Sequence, residues 1–222
     1  PPGLQTHHLI HNAEAGGQLH GRPVVKALII IDMQMEMQQR IDRGQDSVNA
    51  DAPARIEALA AAFRQAGQPV LHVRHREDDP ASDFHIDAAG YQPMPCAQAV
   101  EGEPVFVKRT SSSFASTDLE KYLRANSITD LVVAGAVAGF CINSTVRAGT
   151  DLGFRMTVVR DAVLGFDLSD LSARTIFDVT MAHLEADFAT VLDTSAIIQS
   201  EQVNSWPPPP PQIWARFPKP TV

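Results

Sequence analysis

Short apolar segments alternate with helical ones along the middle of the chain, and this alternation constrains the fold more than any other feature. Residues 26–31 (KALIII) form a continuous apolar run, which is typical of a strand buried on both faces of a sheet. Further strands are predicted at 69–73, 104–107, 131–134, 155–159 and 189–192, and helices at 53–66, 117–125, 141–152 and 171–184. This order predicts an α/β fold in three layers, in which helices cover both faces of a mainly parallel sheet.

The bulk composition argues against several classes of function. The 222 residues fit one domain, and a formal net charge of −8 without a basic run argues against nucleic-acid binding. An acidic surface is not attracted to anionic membranes, and no apolar stretch approaches the roughly 20 residues of a membrane span. The two cysteines, Cys96 and Cys141, cannot form a disulfide framework, and the first twenty residues lack a signal-peptide pattern. We therefore expect a cytoplasmic protein.

The two ends of the chain differ from its middle. Residues 1–22 are polar and without periodicity, which predicts an N-terminal arm before a domain at 23–195. Residues 196–222 are predicted to be a proline-rich tail, because the five prolines at 207–211 favour polyproline II and exclude helix. Aromatic residues flank these prolines (Trp206, Trp214 and Phe217). The tail is either a stiff extension or an arm that packs on a neighbouring subunit.

Three chemically active side chains follow predicted strands. Asp32 ends the first strand, Lys108 ends the third, and Cys141 follows the fourth after a turn of small residues. Taken singly, each has an ordinary structural interpretation: a cap, a rim charge or a buried thiol. In a parallel sheet, however, the carboxyl ends of the strands share one edge, where ligands bind. A thiol at a helix start also lies near the positive end of the helix dipole, which favours thiolate.

Together the three residues form a plausible catalytic group. A carboxylate at Asp32 accepts the proton of the Cys141 thiol, and the ammonium of Lys108 stabilises the charged forms of both. Backbone N–H groups at the start of a helix are suited to bind an oxyanion. The sequence thus supplies a nucleophile, a base and an electrophilic stabiliser.

Residues 24–192 resemble the isochorismatase-like cysteine hydrolase family, which includes several amidohydrolases. The resemblance lies in ALIIIDMQ and in the block from GEPVFVKRTSSSF through VVAGAVAGFCINSTVRAGTDLGF to VVRDAV. It implies a six-stranded parallel sheet of order 3-2-1-4-5-6 and a homo-oligomer, either dimer or tetramer. It also implies that Asp32, Lys108 and Cys141 are catalytic, and that a cis peptide joins Ala136 to Val137. The N–H groups of Val137 and Cys141 would then form the oxyanion hole.

One departure from the family's nicotinamidases concerns metal binding. Those enzymes carry an Asp-x-His motif after the second strand, whereas this chain reads LHVRHREDD. His72 and His75 are three apart on a predicted strand and therefore point to opposite faces. We expect no metal and no other cofactor, and a substrate other than nicotinamide.

Pocket residues and alternative functions remain open at this level. Gln34, Phe114 and Phe140 lie beside the catalytic residues in sequence and are candidates for substrate binding, with a core or surface role as the alternative. Residues 75–102 form a lid, reach an adjacent subunit, or belong to the core or the surface. The preferred hypothesis is a metal-independent hydrolase that cleaves an amide-like C–N bond of a small molecule through a thioester on Cys141. The alternatives are a vinyl-ether hydrolase of the isochorismatase type, and a non-catalytic scaffold whose proline-rich tail binds a partner.

Overall fold

The computed structural model describes residues 25–204, with the backbone alone described at 202–204. The predicted N-terminal arm and the prolines at 207–211 lie outside these residues. The strands are β1 (Val25–Ile31), β2 (Ser47–Val48), β3 (Val70–His75), β4 (Val105–Lys108), β5 (Ile128–Gly135), β6 (Arg155–Val163), β7 (Gly165–Phe166) and β8 (Thr190–Leu192). The α-helices are α1 (Met35–Asp42), α2 (Ala52–Gln65), α3 (Leu119–Ala125), α4 (Asn143–Asp151), α5 (Ala173–Asp187) and α6 (Thr194–Asn204).

Six strands form one sheet, in the order β4-β3-β1-β5-β6-β8. Every neighbouring pair in it is parallel. Numbered along the chain, these six strands have the order 3-2-1-4-5-6, and the predicted sheet is confirmed. The short strands β2 and β7 form a separate antiparallel pair, which the sequence did not predict.

The core lies in two apolar layers, one on each face of the sheet. Alternate residues of β1 supply both layers: Ile29 and Ile31 pack in the layer with α3, α4 and α5, and Leu28 and Ile30 in the layer with α2 and α6. This alternation explains why the strand is apolar without interruption. Within residues 25–204, no helix is both long and apolar enough to cross a membrane.

The folded unit extends further along the chain than predicted. Residues 196–204 were assigned to the tail, but they belong to α6, which packs against α2 and β6. Ile197 is buried in the core, and the buried carboxylate of Glu201 forms a 2.6 Å ion pair with Lys26 at the start of β1. These long-range contacts hold the helix, whereas the local sequence shows weak amphipathic periodicity.

The segment after β3 is irregular but attached to the core. It contains two short 3₁₀ turns, Ala89–Tyr91 and Pro95–Ala97. The backbone N–H of Met94 donates to the carbonyl of Met33, and the N–H of Met35 donates to the carbonyl of Gln92. The segment therefore forms a fixed wall beside the carboxyl end of β1.

Candidate active site

The three predicted catalytic residues converge at the carboxyl edge of the sheet. Asp32 directly follows the central strand β1, and Lys108 is the last residue of β4. Cys141 lies within a single π-helical turn, Ala138–Ile142, which connects β5 to α4. The prediction that Cys141 begins a helix is wrong in detail, because this turn starts three residues earlier, at Ala138.

The ammonium of Lys108 lies at the centre of the group. Its Nζ is 2.7 Å from Oδ2 of Asp32 and 3.2 Å from Sγ of Cys141. A third contact, 3.3 Å long, joins Nζ to Nδ1 of His75. The lysine side chain is completely buried, and Asp32 is 3 % exposed. The ammonium therefore has three polar neighbours, an ion-pair partner in Asp32 and hydrogen-bond partners in Cys141 and His75, in a site largely closed to water.

Burial governs the protonation of the acid and the thiol. Desolvation raises the pKa of Asp32 above the usual carboxyl value, although the neighbouring ammonium of Lys108 partly offsets it. Desolvation, reinforced by the negative charge of Asp32, raises the pKa of Cys141 to about 12. The resting thiol is therefore protonated at neutral pH. Burial and the adjacent carboxylate thus act against the thiolate that the position near a helix start was expected to favour.

A cavity of about 340 Å³ opens onto the thiol. Its walls are formed by Asp32, Met37, Arg40, His75, Glu77, Phe84, Ser111, Ala136, Val137, Phe140 and Cys141. Apart from Cys141, five of these side chains are apolar and five are polar or charged, a mixture that suits the binding of a small molecule. Phe140 is 51 % exposed and contributes an apolar surface directly beside the nucleophile.

The backbone of β5 comes very close to that of β1 just before the turn that carries Cys141. The peptide bond between Ala136 and Val137 is cis. Gly135, at the end of β5, has a φ of +128°, and a Cβ there would lie 2.1 Å from the carbonyl oxygen of Ile31. Only glycine fits this position, both for its backbone angle and for its contact with β1.

Comparison with known proteins agrees with this architecture. The profile of the Isochorismatase domain matches residues 26–196. The chain belongs to the isochorismatase family. It is 31 % identical over 178 residues to the isochorismatase family protein YrdC of Bacillus subtilis, covering 78 % of this chain and 94 % of YrdC. It is 26 % identical over 219 residues to the ureidoacrylate amidohydrolase RutB of Methylobacterium radiotolerans, covering 84 % of this chain and 83 % of RutB.

A solved structure gives the same result for the fold. The crystal structure of a hydrolase of the isochorismatase family from Chromobacterium violaceum superposes with a TM-score of 0.76 at 29 % identity. The match covers 81 % of this chain and 94 % of that one.

Two predicted substrate-binding residues of this isochorismatase-family chain lie away from the cavity. Gln34 is fully buried: its amide donates to the carbonyls of His75 and Tyr91, and its carbonyl accepts from the N–H of His75. Phe114 is partly buried, stacks on Phe154 at a centroid distance of 5.6 Å and packs against the apolar core. Both assignments are corrected to structural roles, because proximity in sequence did not become proximity in space. Phe140 does line the cavity.

Several cavity residues escaped the sequence analysis. Met37 and Arg40 belong to α1, a helix that was not predicted. Glu77 and Phe84 lie in the irregular segment, for which a lid was one of the interpretations. His75 was considered only as a metal ligand. Its position at the carboxyl end of β3, on the same edge as Asp32 and Lys108, was the signal that would have identified it.

The two histidines considered as metal ligands have separate partners. His72 is buried and its Nε2 lies 2.8 Å from Oε2 of Glu103, a carboxyl whose pKa is about 2. Burial acts to raise that pKa, but hydrogen bonds from His72 and Arg64 outweigh burial. His75 faces Lys108 instead. In the part of the chain that the structure describes, no three His, Cys, Asp or Glu side chains group as metal ligands.

Proposed function

We propose that this protein is a cysteine hydrolase that cleaves an amide-like C–N bond of a small molecule, without a metal, through a thioester on Cys141. The observation that carries the proposal is the position of one buried ammonium, that of Lys108, between a carboxylate at 2.7 Å and a thiol at 3.2 Å on the wall of a cavity. This is the arrangement of a base, a nucleophile and a charge that stabilises both ionised forms.

The raised pKa of Asp32 favours proton transfer from the thiol, whereas the raised pKa of Cys141 opposes it. Asp32 is a stronger base than an exposed carboxylate, because burial disfavours its charge. In the proposed first step, Asp32 takes the proton of the Cys141 thiol, and the thiolate sulfur attacks the substrate carbonyl carbon. The N–H groups of Val137 and Cys141, two residues that line the cavity, are the proposed donors to the tetrahedral oxyanion.

The remaining steps return the enzyme to its starting state. Protonated Asp32 gives its proton to the leaving nitrogen as the C–N bond breaks, which leaves a thioester on Cys141. Asp32 then accepts a proton from a water molecule that attacks the thioester. It returns this proton to the sulfur as the C–S bond breaks, which releases the acid product and restores the thiol. Lys108 keeps one positive charge beside the reacting atoms throughout, because its ammonium neither gains nor loses a proton.

An amide-like substrate is supported by two arguments. One relative is named a ureidoacrylate amidohydrolase. A thiol nucleophile also suits acyl transfer, where a covalent intermediate divides one difficult displacement into two easier ones. A cavity of about 340 Å³ limits the substrate to a small molecule. The homo-oligomeric state and the cytoplasmic location stay predictions.

The test is hydrolysis of a panel of primary amides, imides and ureides by the parent protein and by Cys141→Ala. We expect release of ammonia or amine from at least one class, and a fall in kcat/KM of at least about 10³-fold in the variant. Cys96→Ala is the matched control, because Cys96 is the other free cysteine and does not line the cavity. Full activity of Cys141→Ala would refute the proposal.

A further inference from the structure

Among the residues that the structure describes, His75 is the one contact of the Lys108 ammonium that the proposed mechanism does not use. Its Nδ1 lies 3.3 Å from Nζ of Lys108, and an ammonium has donors only, so Nδ1 must accept. The proton of a neutral imidazole is then on Nε2, which lies 3.2 Å from Oε1 of Glu77. The two contacts thus select one tautomer of a neutral ring.

The surrounding structure fixes this ring in place. Phe84 packs edge-on against it, with centroids 5.3 Å apart and an interplanar angle of 79°. The buried amide of Gln34 binds both the N–H and the carbonyl of His75, and so holds its backbone. His75 is therefore held at the cavity wall by the contacts of its two ring nitrogens, by the ring of Phe84 and by the amide of Gln34.

We infer that His75 is a positioning residue for Lys108: as a neutral ring it accepts one hydrogen bond of the ammonium and directs the other two donors to Asp32 and Cys141. This inference rests on the proposed function. Without the acceptor at His75, a completely buried ammonium would carry an unpaired N–H, and its orientation would no longer be fixed.

Protonation of His75 would abolish this role. In the imidazolium both ring nitrogens donate, so Nδ1–H would face the ammonium of Lys108 and repel it. The charged groups that face the ring are Lys108 from β4, Asp32 after β1, and Glu77. Protonation of the ring would therefore disrupt the arrangement of the site.

The rate of Cys141 alkylation by iodoacetamide tests the inference without a known substrate. The rate is followed by peptide mass spectrometry from about pH 5 to 9 in the full chain. His75→Phe keeps a ring but removes the acceptor, and we expect alkylation near neutral pH to slow about tenfold. His75→Asn provides Oδ1 in place of Nδ1; it should keep most of the rate and lose one ionisation from the acid limb.

Two further variants separate the positioning role from a structural one. Glu77→Ala removes the carboxylate partner of the imidazolium. It should move the acid limb of the pH profile of Cys141 alkylation to lower pH, with little change in Tm. His85→Phe is the matched control, because this histidine lies on the same segment but does not line the cavity. In this variant, Cys141 should be alkylated at the parent rate.

The outcomes distinguish this inference from the proposed function. If His75→Phe retains both the parent rate and the parent pH profile while Cys141 remains the fast thiol, this inference alone is overturned. If Cys141 of the parent is alkylated no faster than buried Cys96, the proposed function fails and the inference fails with it.

Discussion

The ammonium of Lys108 and the carboxylate of Asp32 form a 2.7 Å ion pair in which the lysine is completely buried. The two residues come from β4 and from the end of β1, and β3 lies between these strands. Removing two charges from water is costly, and a pair of this kind is weak evidence for stability by itself. The position of this ion pair beside Cys141 at the cavity indicates a role in catalysis instead.

Loss of the Asp32 carboxylate should lower kcat/KM near neutral pH. Asp32→Asn removes the proposed base but keeps the side-chain shape, so we expect kcat/KM near neutral pH to fall by at least about 10³-fold. In the parent, activity should fall as the pH is lowered through the raised pKa of Asp32, because the base must be ionised. The pH profile of kcat/KM checks this, with exposed Asp170→Asn as the control.

Loss of the ammonium should inactivate the site by a different route. Lys108→Met leaves Asp32 buried without a cation, so the pKa of that carboxyl should rise further and the base should be protonated at neutral pH. We expect a fall in kcat/KM of about 10²-fold or more. Lys121→Met, on the exposed face of α3, should leave activity unchanged. Parent-like activity of Lys108→Met would contradict the role of the ammonium.

A methyl group at Gly135 should disrupt the approach of β5 to β1. Its Cβ would meet the carbonyl oxygen of Ile31 at 2.1 Å, so Gly135→Ala should reduce the free energy of unfolding by more than about 4 kcal/mol, or prevent folding. Gly153→Ala is the control: it also has a positive φ, of +86°, but nothing lies within 4 Å of its Cβ. Only backbone strain of about 1–2 kcal/mol is expected there. Urea denaturation measures both values.

The helix beyond the predicted domain boundary should contribute to stability. Ile197 is 3 % exposed in the layer between α2 and the sheet, and Ile197→Ala should cost about 2–4 kcal/mol of unfolding free energy. Its neighbour Ile198 is only partly buried, so Ile198→Ala should cost less. Thermal and urea unfolding give the comparison, and equal small losses would show that α6 is not part of the cooperative unit.

The sequence by itself determined the alternation of strands with helices and the three residues at the carboxyl edge of the sheet, whereas the sheet order followed from the resemblance to the family. Apolar runs such as residues 26–31 report burial on both faces, and the position of Asp32 or Lys108 at a strand end follows directly from such a run. Local periodicity was sufficient for the strands and their ends, and the distinctive block around Cys141 supported the resemblance that gave the sheet order.

Only the tertiary structure decided the chemistry and the walls of the site. The raised pKa of Cys141 depends on burial and on the charge of Asp32, which is remote in sequence. The contact of His75 with Lys108 joins residues 33 positions apart. Gln34, placed next to Asp32 in sequence, proved to hold backbone groups 41 and 57 positions away. Such through-space relationships have no local periodicity, because they arise from packing between strands and the irregular segment that follows β3.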